Sequence, residues 1–208
     1  MARKVVIIVG SIRADSINLK LAKALVKLAA PELRFEFAKL DDLPIFNQDR
    51  EHDPVPGAIR VRAQIGSADG LLFITPEHNR SIPAVLKNML DWVSRPYGKS
   101  QWGGRPAAIA GASVGALGTA LAQVHLRSIL GCLDVPTLGQ PEVYIRFSDD
   151  LITRDGDVTN DGTRKFLQRF MDAYANWVAR FHERPRTLSA SNAPSIGRST
   201  LVAVRQEL

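Results

Sequence analysis

The sequence has 208 residues, 45% hydrophobic and 23% charged, which is typical of one globular domain and excludes a disordered or fibrous chain. Its single cysteine excludes an intramolecular disulfide, and the apolar run after MARK is too short for a signal peptide or a transmembrane helix, so we expect a cytoplasmic protein with no membrane partner. The formal net charge is +6, but the Lys and Arg residues are scattered and form no run interleaved with aromatics, so we expect no nucleic-acid partner.

The first half of the chain alternates predicted strands with predicted helices. Residues 4–9 (KVVIIV) form a continuous apolar run rich in β-branched side chains, which is typical of a strand covered on both faces. Apolar residues then recur at spacings of three and four, which predicts a helix over about 17–30. The alternating segment 33–38 predicts a second strand, followed by an Asp- and Pro-rich loop at 41–54 and a helix at about 55–67.

The middle of the chain continues this alternation. The apolar segment 70–75 (GLLFIT) predicts a third buried strand. The segment 82–94 (IPAVLKNMLDWVS) predicts a helix with Pro83 in its first turn, where the missing N–H costs little. A fourth strand is predicted at 106–111 and a helix at about 117–131.

The last third of the chain completes the predicted fold and adds a tail. A fifth strand is expected within 135–146, and the spacing of the aromatic and apolar residues predicts a long helix at 162–182. Strands that alternate with helices indicate an α/β domain over 1–182 with a doubly wound parallel sheet. The tail at 183–208 is rich in Ser, Pro, Ala and Arg, so we expect it to be loosely ordered or to strap a neighbouring subunit.

The loop after the first strand has the composition of an anion site. Ligands bind where the carboxyl ends of parallel strands meet. Here Ser11, Ser16 and Asn18 offer hydrogen-bond donors and Arg13 a fixed charge beside a helix N-terminus, which favours a phosphate. The sequence has neither G-x-x-x-x-G-K-[ST] nor G-x-G-x-x-G, which argues against a P-loop and a dinucleotide turn. The alternative is a plain strand-to-helix turn capped by Ser16.

Two further loops follow the third and fourth predicted strands. In the 75–83 loop (TPEHNRSIP), backbone amides and Asn79 suit the edge of a planar polar ring, and His78 could stack on it. The small residues of the 111–118 loop (GASVGALG) let a ligand lie close to the backbone. The alternatives are a loop that only precedes a helix and glycines that only make a tight turn.

Other chemistry-bearing residues show no further pattern. The histidines and the cysteine lack metal-ligand spacing, so no metal site is predicted. His125 and Cys132 lie in or beside an apolar helix, which favours the core or a subunit interface. Trp92, Tyr97 and Trp102 stand close together in the sequence, and either ordinary packing or a subunit contact explains them.

Three motifs carry a family resemblance: GSIRADSIN, TPEHNRSIPAVLKNMLDWVSRP and GASVGALGT. With them, residues 4–182 resemble the NADPH-dependent FMN reductase family, and within it the chromate and quinone reductase branch. The resemblance implies a flavodoxin-like fold with strand order 2-1-3-4-5, bound FMN, NADPH or NADH as reductant, and a homodimer or homotetramer. It implies an enzyme that reduces quinones, azo compounds, chromate or similar small acceptors by ping-pong hydride transfer.

The same resemblance implies the site residues. The flavin would do the chemistry, so no catalytic acid or base is expected. The implied FMN contacts are Ser11, Arg13, Ser16, Ile17 and Asn18 at the phosphate, Pro76, Glu77, His78 and Asn79 at the isoalloxazine, and Ser113, Val114 and Gly115 on its other side. His78 stands where the family usually has Tyr, and Arg80 where some relatives have a second Tyr, so both are candidate substrate contacts. A flavodoxin-like electron carrier is the alternative, which the basic charge disfavours.

Overall fold

Five parallel strands form a central sheet, and helices cover both of its faces. The structure, a computed structural model, describes residues 2–183. The strands are β1 (Arg3–Val9), β2 (Leu33–Phe37), β3 (Gly70–Ile74), β4 (Ala107–Ser113) and β5 (Val143–Arg146). The helices are α1 (Ile17–Lys27), α2 (Pro56–Gly66), α3 (Ala84–Val93), α4 (Ala120–Cys132) and α5 (Asp161–Glu183), with a 3-10 turn at Gln48–Arg50.

The strand order is β2-β1-β3-β4-β5 and every pairing is parallel, which confirms the predicted flavodoxin-like sheet. Because β1 lies between β2 and β3, the winding reverses there, and the loops after β1 and β3 diverge from each other. A crevice opens at such a switch point, at the carboxyl ends of the strands. The fold therefore provides a ligand site beside the loop that follows β1.

The two faces of β1 belong to two separate cores. Val5 and Ile7 pack with residues of α1 and α5, whereas Val6 and Ile8 pack with residues of α2, α3 and α4. All four side chains are completely buried. This two-sided burial is the reason why the strand is continuously apolar instead of alternating.

Two predicted helix starts differ from the structure by two residues or more. Helix α3 begins at Ala84, so the placement of Pro83 inside the first turn is wrong by one position. Pro83 has an extended ψ of 147°, and its carbonyl accepts a hydrogen bond from the Leu86 amide at 3.0 Å, so it is the N-cap. Helix α4 begins at Ala120 and not at about 117, because Gly118 has a φ of +57°, outside the right-handed helical region.

The three aromatic residues that are close in sequence do not form one cluster. Trp92 is buried; its indole N–H donates to the Pro44 carbonyl at 2.7 Å and its ring meets Phe46 edge-on. Trp102 is completely buried in the core, whereas Tyr97 is 87% exposed. Ordinary packing therefore explains Trp92 and Trp102, and only Tyr97 faces outward.

Helix α4 turns two of its polar residues outward. His125 and Cys132 are both exposed, so their assignment to the core is wrong. The helix buries Ala122, Leu126 and Leu130 against the sheet instead, because these residues share the opposite face. The alternative assignment of His125 and Cys132 to a subunit interface stays a prediction.

The chain end and its surroundings complete the description. The predicted tail at 183–208 lies outside the described residues except for Glu183, the last residue of α5. The division into a domain at 1–182 and a tail thus stays a prediction. Within residues 2–183, no helix combines the length and the hydropathy needed to cross a membrane.

Candidate cofactor site

A cleft of about 200 Å³ opens where the loops after β1, β3 and β4 meet. Its lining comes from all three loops that the sequence singles out: Ser11, Arg13, Ser16, Ile17, Asn18, Pro76, Glu77, His78, Ala112, Ser113 and Val114. Of the predicted residues, Asn79, Arg80 and Gly115 lie in the same loops but do not line this cleft. Ala112 was not predicted, since a small apolar residue at a strand end carries no sequence signal for a site.

The N-terminus of α1 forms one wall of the cleft. Ser16 is its N-cap, and its hydroxyl accepts a hydrogen bond from the Leu19 amide at 3.3 Å. The amides of Ile17 and Asn18 find no acceptor among the described residues, and they point from the positive end of the helix. The guanidinium of Arg13 is exposed and pairs with no described carboxylate. This donor set fits the phosphate of FMN.

Asn18 joins α1 to β4 underneath the cleft. Its Nδ2 donates to the Ala112 carbonyl and its Oδ1 accepts from the Ala112 amide, both at 2.9 Å. The side chain is 1% exposed. If Asn18 contacts a phosphate as predicted, its backbone amide is the group available for that contact. Its side chain is already used to hold α1 and β4 together.

The tip of the 75–82 loop is a tight turn closed by the backbone. The amides of His78 and Ser81 each donate to the other residue's carbonyl at 2.9 Å. Between them, Asn79 and Arg80 have φ values of +50° and +67°, the arrangement of a type I′ turn. Asn tolerates this conformation, whereas Arg adopts it at a cost of about 1 kcal/mol. The turn leaves the side chains at 78–80 exposed beside the cleft.

Glu77 makes a contact that the sequence did not indicate. Its Oε2 accepts hydrogen bonds from the amides of Leu121 at 3.0 Å and Ala122 at 3.1 Å. These amides belong to the first turn of α4, more than forty residues along the chain. The carboxylate thus lines the cleft and caps a helix at the same time.

The loop after β4 uses its glycines in different ways. A Cβ at Gly111 would collide with the Thr75 carbonyl and with Thr119, so glycine is required for close packing. Gly118 has a φ of +57° and lies against Tyr144, so it makes the turn into α4. Gly115 has neither constraint; its amide donates to Ser113 Oγ at 3.1 Å. The alternative that these glycines only make a tight turn accordingly accounts for Gly118 but not for Gly115.

Two exposed arginines, Arg80 and Arg146, lie at the edge of the sheet that carries the cleft. Arg80 and Arg146 are exposed and contact no carboxylate within residues 2–183. Arg146, the last residue of β5, pairs in register with Ser113 and so reaches the same edge of the sheet. It was missed because the sequence did not fix where β5 ends. The negatively charged Asp15 forms an ion pair with Lys20, with 3.0 Å between Oδ1 and Nζ. The hydrogen bond from Lys20 lowers the pKa of the Asp15 carboxyl.

Two possible sources of catalytic chemistry are unsupported in the described part of the chain. Residues 2–183 contain no group of three or more His, Cys, Asp or Glu side chains that could hold a metal ion. Near the cleft, burial and a hydrogen bond to Glu142 raise the pKa of Tyr144 to about 12. Its phenol therefore stays protonated at neutral pH and offers no general base there.

Comparisons with known proteins identify relatives that share the fold and much of the sequence. A 2-hydroxy-1,4-benzoquinone reductase from Burkholderia sp is 51% identical over 178 residues, covering 86% of this chain and 97% of the relative. A quinone reductase from Pseudomonas putida is 45% identical, covering 84% and 94%. The structure of FerB, a flavoenzyme NAD(P)H:(acceptor) oxidoreductase from Paracoccus denitrificans, matches with a TM-score of 0.83 and 42% identity, covering 86% and 99%.

A family description agrees with these relatives and with the donor set at α1. The family of NADPH-dependent FMN reductases matches residues 3–150, which contain all three loops of the cleft. The chain therefore belongs to the NADPH-dependent FMN reductase family and is an oxidoreductase that uses FMN and NAD(P)H.

Proposed function

We propose that this enzyme is a cytoplasmic quinone reductase that carries FMN in the cleft between its three loops. The observation that carries the proposal is the N-terminus of α1, where two amides without an acceptor in residues 2–183 and the Arg13 guanidinium adjoin the switch point of the sheet. The names of the relatives support a quinone as acceptor.

The residues of each loop have separate roles in this proposal. The phosphate of FMN is held by Ser11, Arg13, Ser16 and the backbone amides of Ile17 and Asn18. The isoalloxazine lies between the backbone at 76–79 and the backbone at 113–115. Pro76, Glu77, His78 and Asn79 border one side, and Ser113, Val114 and Gly115 the other.

The division of labour between cofactor and protein follows from this placement. FMN held by these loops would supply the redox chemistry, hydride transfer between NAD(P)H and the acceptor in ping-pong order, with a proton from water to balance the reduced product. The protein positions both substrates in turn, and its loop amides offset negative charge on the ring. No side-chain acid or base is required.

We further propose that anionic acceptors are preferred over neutral ones. Within residues 2–183 the guanidiniums of Arg80 and Arg146 contact no carboxylate, and their positive charge at this edge of the sheet attracts anions. A 2-hydroxy-1,4-benzoquinone is a vinylogous carboxylic acid and is an anion at neutral pH, and chromate is a dianion. Azo compounds are a third acceptor class, with Arg80 and His78 as the contacts of the acceptor.

A homodimer or homotetramer completes the proposal. Apolar side chains next to the cleft are unusually exposed for their size: Val114, Leu117, Leu121 and Val124. They lie on the loop after β4 and on the outer face of α4, so a second subunit would cover them together. Light scattering on the purified protein tests this; a monomer at micromolar concentration would contradict it.

The visible spectrum of the purified protein and an anaerobic titration with NADPH test the central proposal. We expect flavin absorption bands that bleach on addition of NADPH and return on addition of 2-hydroxy-1,4-benzoquinone, with steady NADPH oxidation in a mixture of both. Parallel assays with NADH, chromate and an azo dye define the range of substrates. Flavin bands that bleach without turnover of any acceptor would favour the electron carrier, and failure to bind added FMN would overturn the proposal.

A further inference from the structure

Helix α4 begins beside the cleft without a side-chain cap of its own. Thr119 occupies the N-cap position but makes no capping hydrogen bond. Its Oγ1 is buried and accepts instead from Gln123 Nε2 at 2.9 Å, within the helix. The first amides of α4 consequently need an acceptor from elsewhere in the molecule.

Glu77 supplies that acceptor from the 75–82 loop. Its Oε2 receives hydrogen bonds from the Leu121 and Ala122 amides at 3.0 and 3.1 Å. Charge-assisted hydrogen bonds of this kind are about twice as strong as neutral ones. The adjacent residues Pro76 and His78 line the cleft, so the bond fixes the backbone that would contact the flavin ring.

A second contact ties the other end of the same turn to α4. Ser81 Oγ and His125 Nδ1 are hydrogen-bonded at 3.0 Å, one helical turn beyond the amides that Glu77 caps. Below them, Gly111 allows β4 to approach the Thr75 carbonyl closely. The 75–82 loop is therefore held on α4 on both sides of its tip, by the Glu77 carboxylate and by the Ser81–His125 hydrogen bond.

We propose that Glu77 is a positioning residue that also sets the redox potential of the bound flavin. The bond to α4 fixes the distance between the two loops that enclose the ring. The carboxylate also balances the positive end of α4, which would otherwise stabilise the negative charge that the ring gains on reduction. Glu77 thereby lowers the midpoint potential of the flavin and favours electron transfer to the acceptor. This inference rests on the proposed location of FMN in the cleft.

Three variants separate positioning from charge. Glu77→Gln keeps an acceptor oxygen but removes the charge, and Glu77→Ala removes both. Ser81→Ala removes only the hydrogen bond to His125. Glu32→Gln, at an exposed position outside the cleft, is the control for loss of one negative charge. For each variant, the dissociation constant of FMN is measured by fluorescence quenching, the midpoint potential by equilibration with a reference dye, and the apoprotein's melting temperature by scanning calorimetry.

We expect the midpoint potential of Glu77→Gln to rise above that of the wild type, with the FMN dissociation constant changed by less than about threefold. Glu77→Ala is expected to weaken FMN binding about tenfold and to lower the apoprotein's melting temperature, because α4 loses its cap. Ser81→Ala and Glu32→Gln should leave the potential unchanged.

Specific results would overturn each half of the inference. An unchanged potential in Glu77→Gln, or an equal rise in Ser81→Ala or Glu32→Gln, overturns the role of the charge. The positioning role is overturned if the FMN dissociation constant of Glu77→Ala lies within twofold of that of the wild type. If Glu77→Ala does not fold, Glu77→Gln provides the test, because it keeps the acceptor oxygen. A more than tenfold weaker FMN binding by Glu77→Gln would then overturn the positioning role. These measurements need no acceptor substrate, so normal FMN binding without quinone turnover contradicts the proposed function alone, whereas a wild type without FMN contradicts both.

Discussion

Asn18 forms both of its side-chain hydrogen bonds with the backbone of one residue, Ala112, and this explains why an amide side chain is needed at this position beside the cleft. The Ala112 amide and carbonyl face the same way at the end of β4, and Asn18 offers an acceptor and a donor in the matching geometry. An isosteric carboxylate offers only acceptors. The chemistry of this one side chain therefore couples α1 to β4.

Asn18→Asp is expected to lower the free energy of unfolding by about 3 kcal/mol at pH 7, because the buried Ala112 carbonyl loses its donor and faces a carboxylate. Urea denaturation measures this loss. The matched control is Asn160→Asp at the exposed N-terminus of α5, where the side-chain oxygen caps the Thr163 amide and Asp caps equally well. If Asn18→Asp loses no more unfolding free energy than the control, Asn18 does not couple α1 to β4 in this way.

Arg80→Asn is expected to separate stability from substrate binding. Because Asn tolerates a φ of +67°, the variant should be as stable as the wild type or more stable, by about 0.5–1 kcal/mol. Loss of the exposed guanidinium should raise the KM for 2-hydroxy-1,4-benzoquinone about fivefold, as expected for about 1 kcal/mol of attraction in water.

Two controls accompany the Arg80 measurement. The KM for a neutral 1,4-benzoquinone should not change, because it carries no charge for Arg80 to attract. Arg169→Asn, on the exposed side of α5, removes the same charge far along the chain from the cleft. Equal changes of KM for both quinones in Arg80→Asn, or an equal effect of Arg169→Asn, would contradict an electrostatic contact with the acceptor.

Among the elements, α1 combines a side-chain N-cap with the proposed phosphate site of FMN. Ser16 satisfies the Leu19 amide and leaves the amides of Ile17 and Asn18 for a ligand. Ser16→Asp should preserve the free energy of unfolding, since Asp and Ser are similar N-caps, but weaken FMN binding at least about tenfold through repulsion of the phosphate.

Ser16→Ala provides the comparison for that experiment. It should lower the free energy of unfolding by about 1 kcal/mol through loss of the cap, with a smaller effect on FMN than the aspartate has. Both quantities come from urea denaturation of the apoprotein and from titration with FMN. Tighter FMN binding by Ser16→Asp than by Ser16→Ala would place the phosphate elsewhere.

The elements differ in how well the sequence predicts them. The strands and their order follow from apolar runs and family motifs, because burial on two faces leaves a strong local signal. The start of α4 was wrong because the backbone at Gly118, and not the hydrophobic spacing, decides it. The bonds of Glu77 and Asn18 join residues more than forty positions apart, so no local pattern reports them. Contact of the cleft residues with FMN stays a prediction.

At the scale of the whole molecule, the core that contains α5 encloses one unsatisfied hydroxyl. Tyr174 is completely buried, its Oη has no hydrogen-bond partner among the described residues, and burial raises its pKa well above the ordinary value. The ring packs against β3, where a Cβ at Gly70 would touch the hydroxyl. The molecule therefore carries a desolvated polar group in its interior.

Tyr174→Phe should raise the free energy of unfolding at pH 7.5 by about 1 kcal/mol, because it removes that desolvation cost. The wild type should lose further stability as the pH rises above about 10, since Tyr174 ionises in the unfolded chain but not in the folded one. The variant should lose less. Urea denaturation at pH 7.5 and 10.5 measures both effects, and Tyr97→Phe, at an exposed position, is the control. An equal loss of unfolding free energy between the two pH values in all three proteins would contradict the linkage.

The turn at 78–81 has a consequence for how such an enzyme changes over time. Two backbone hydrogen bonds between His78 and Ser81 close the turn. The contacts with α4 come from Glu77 and Ser81, which lie on either side of Asn79 and Arg80. The two tip residues can therefore be exchanged without rebuilding the scaffold, provided that they accept a positive φ. If Arg80 contacts the acceptor as proposed, a small library of Gly, Asn, Asp and charged residues at 79 and 80 is a direct route to new acceptor preferences.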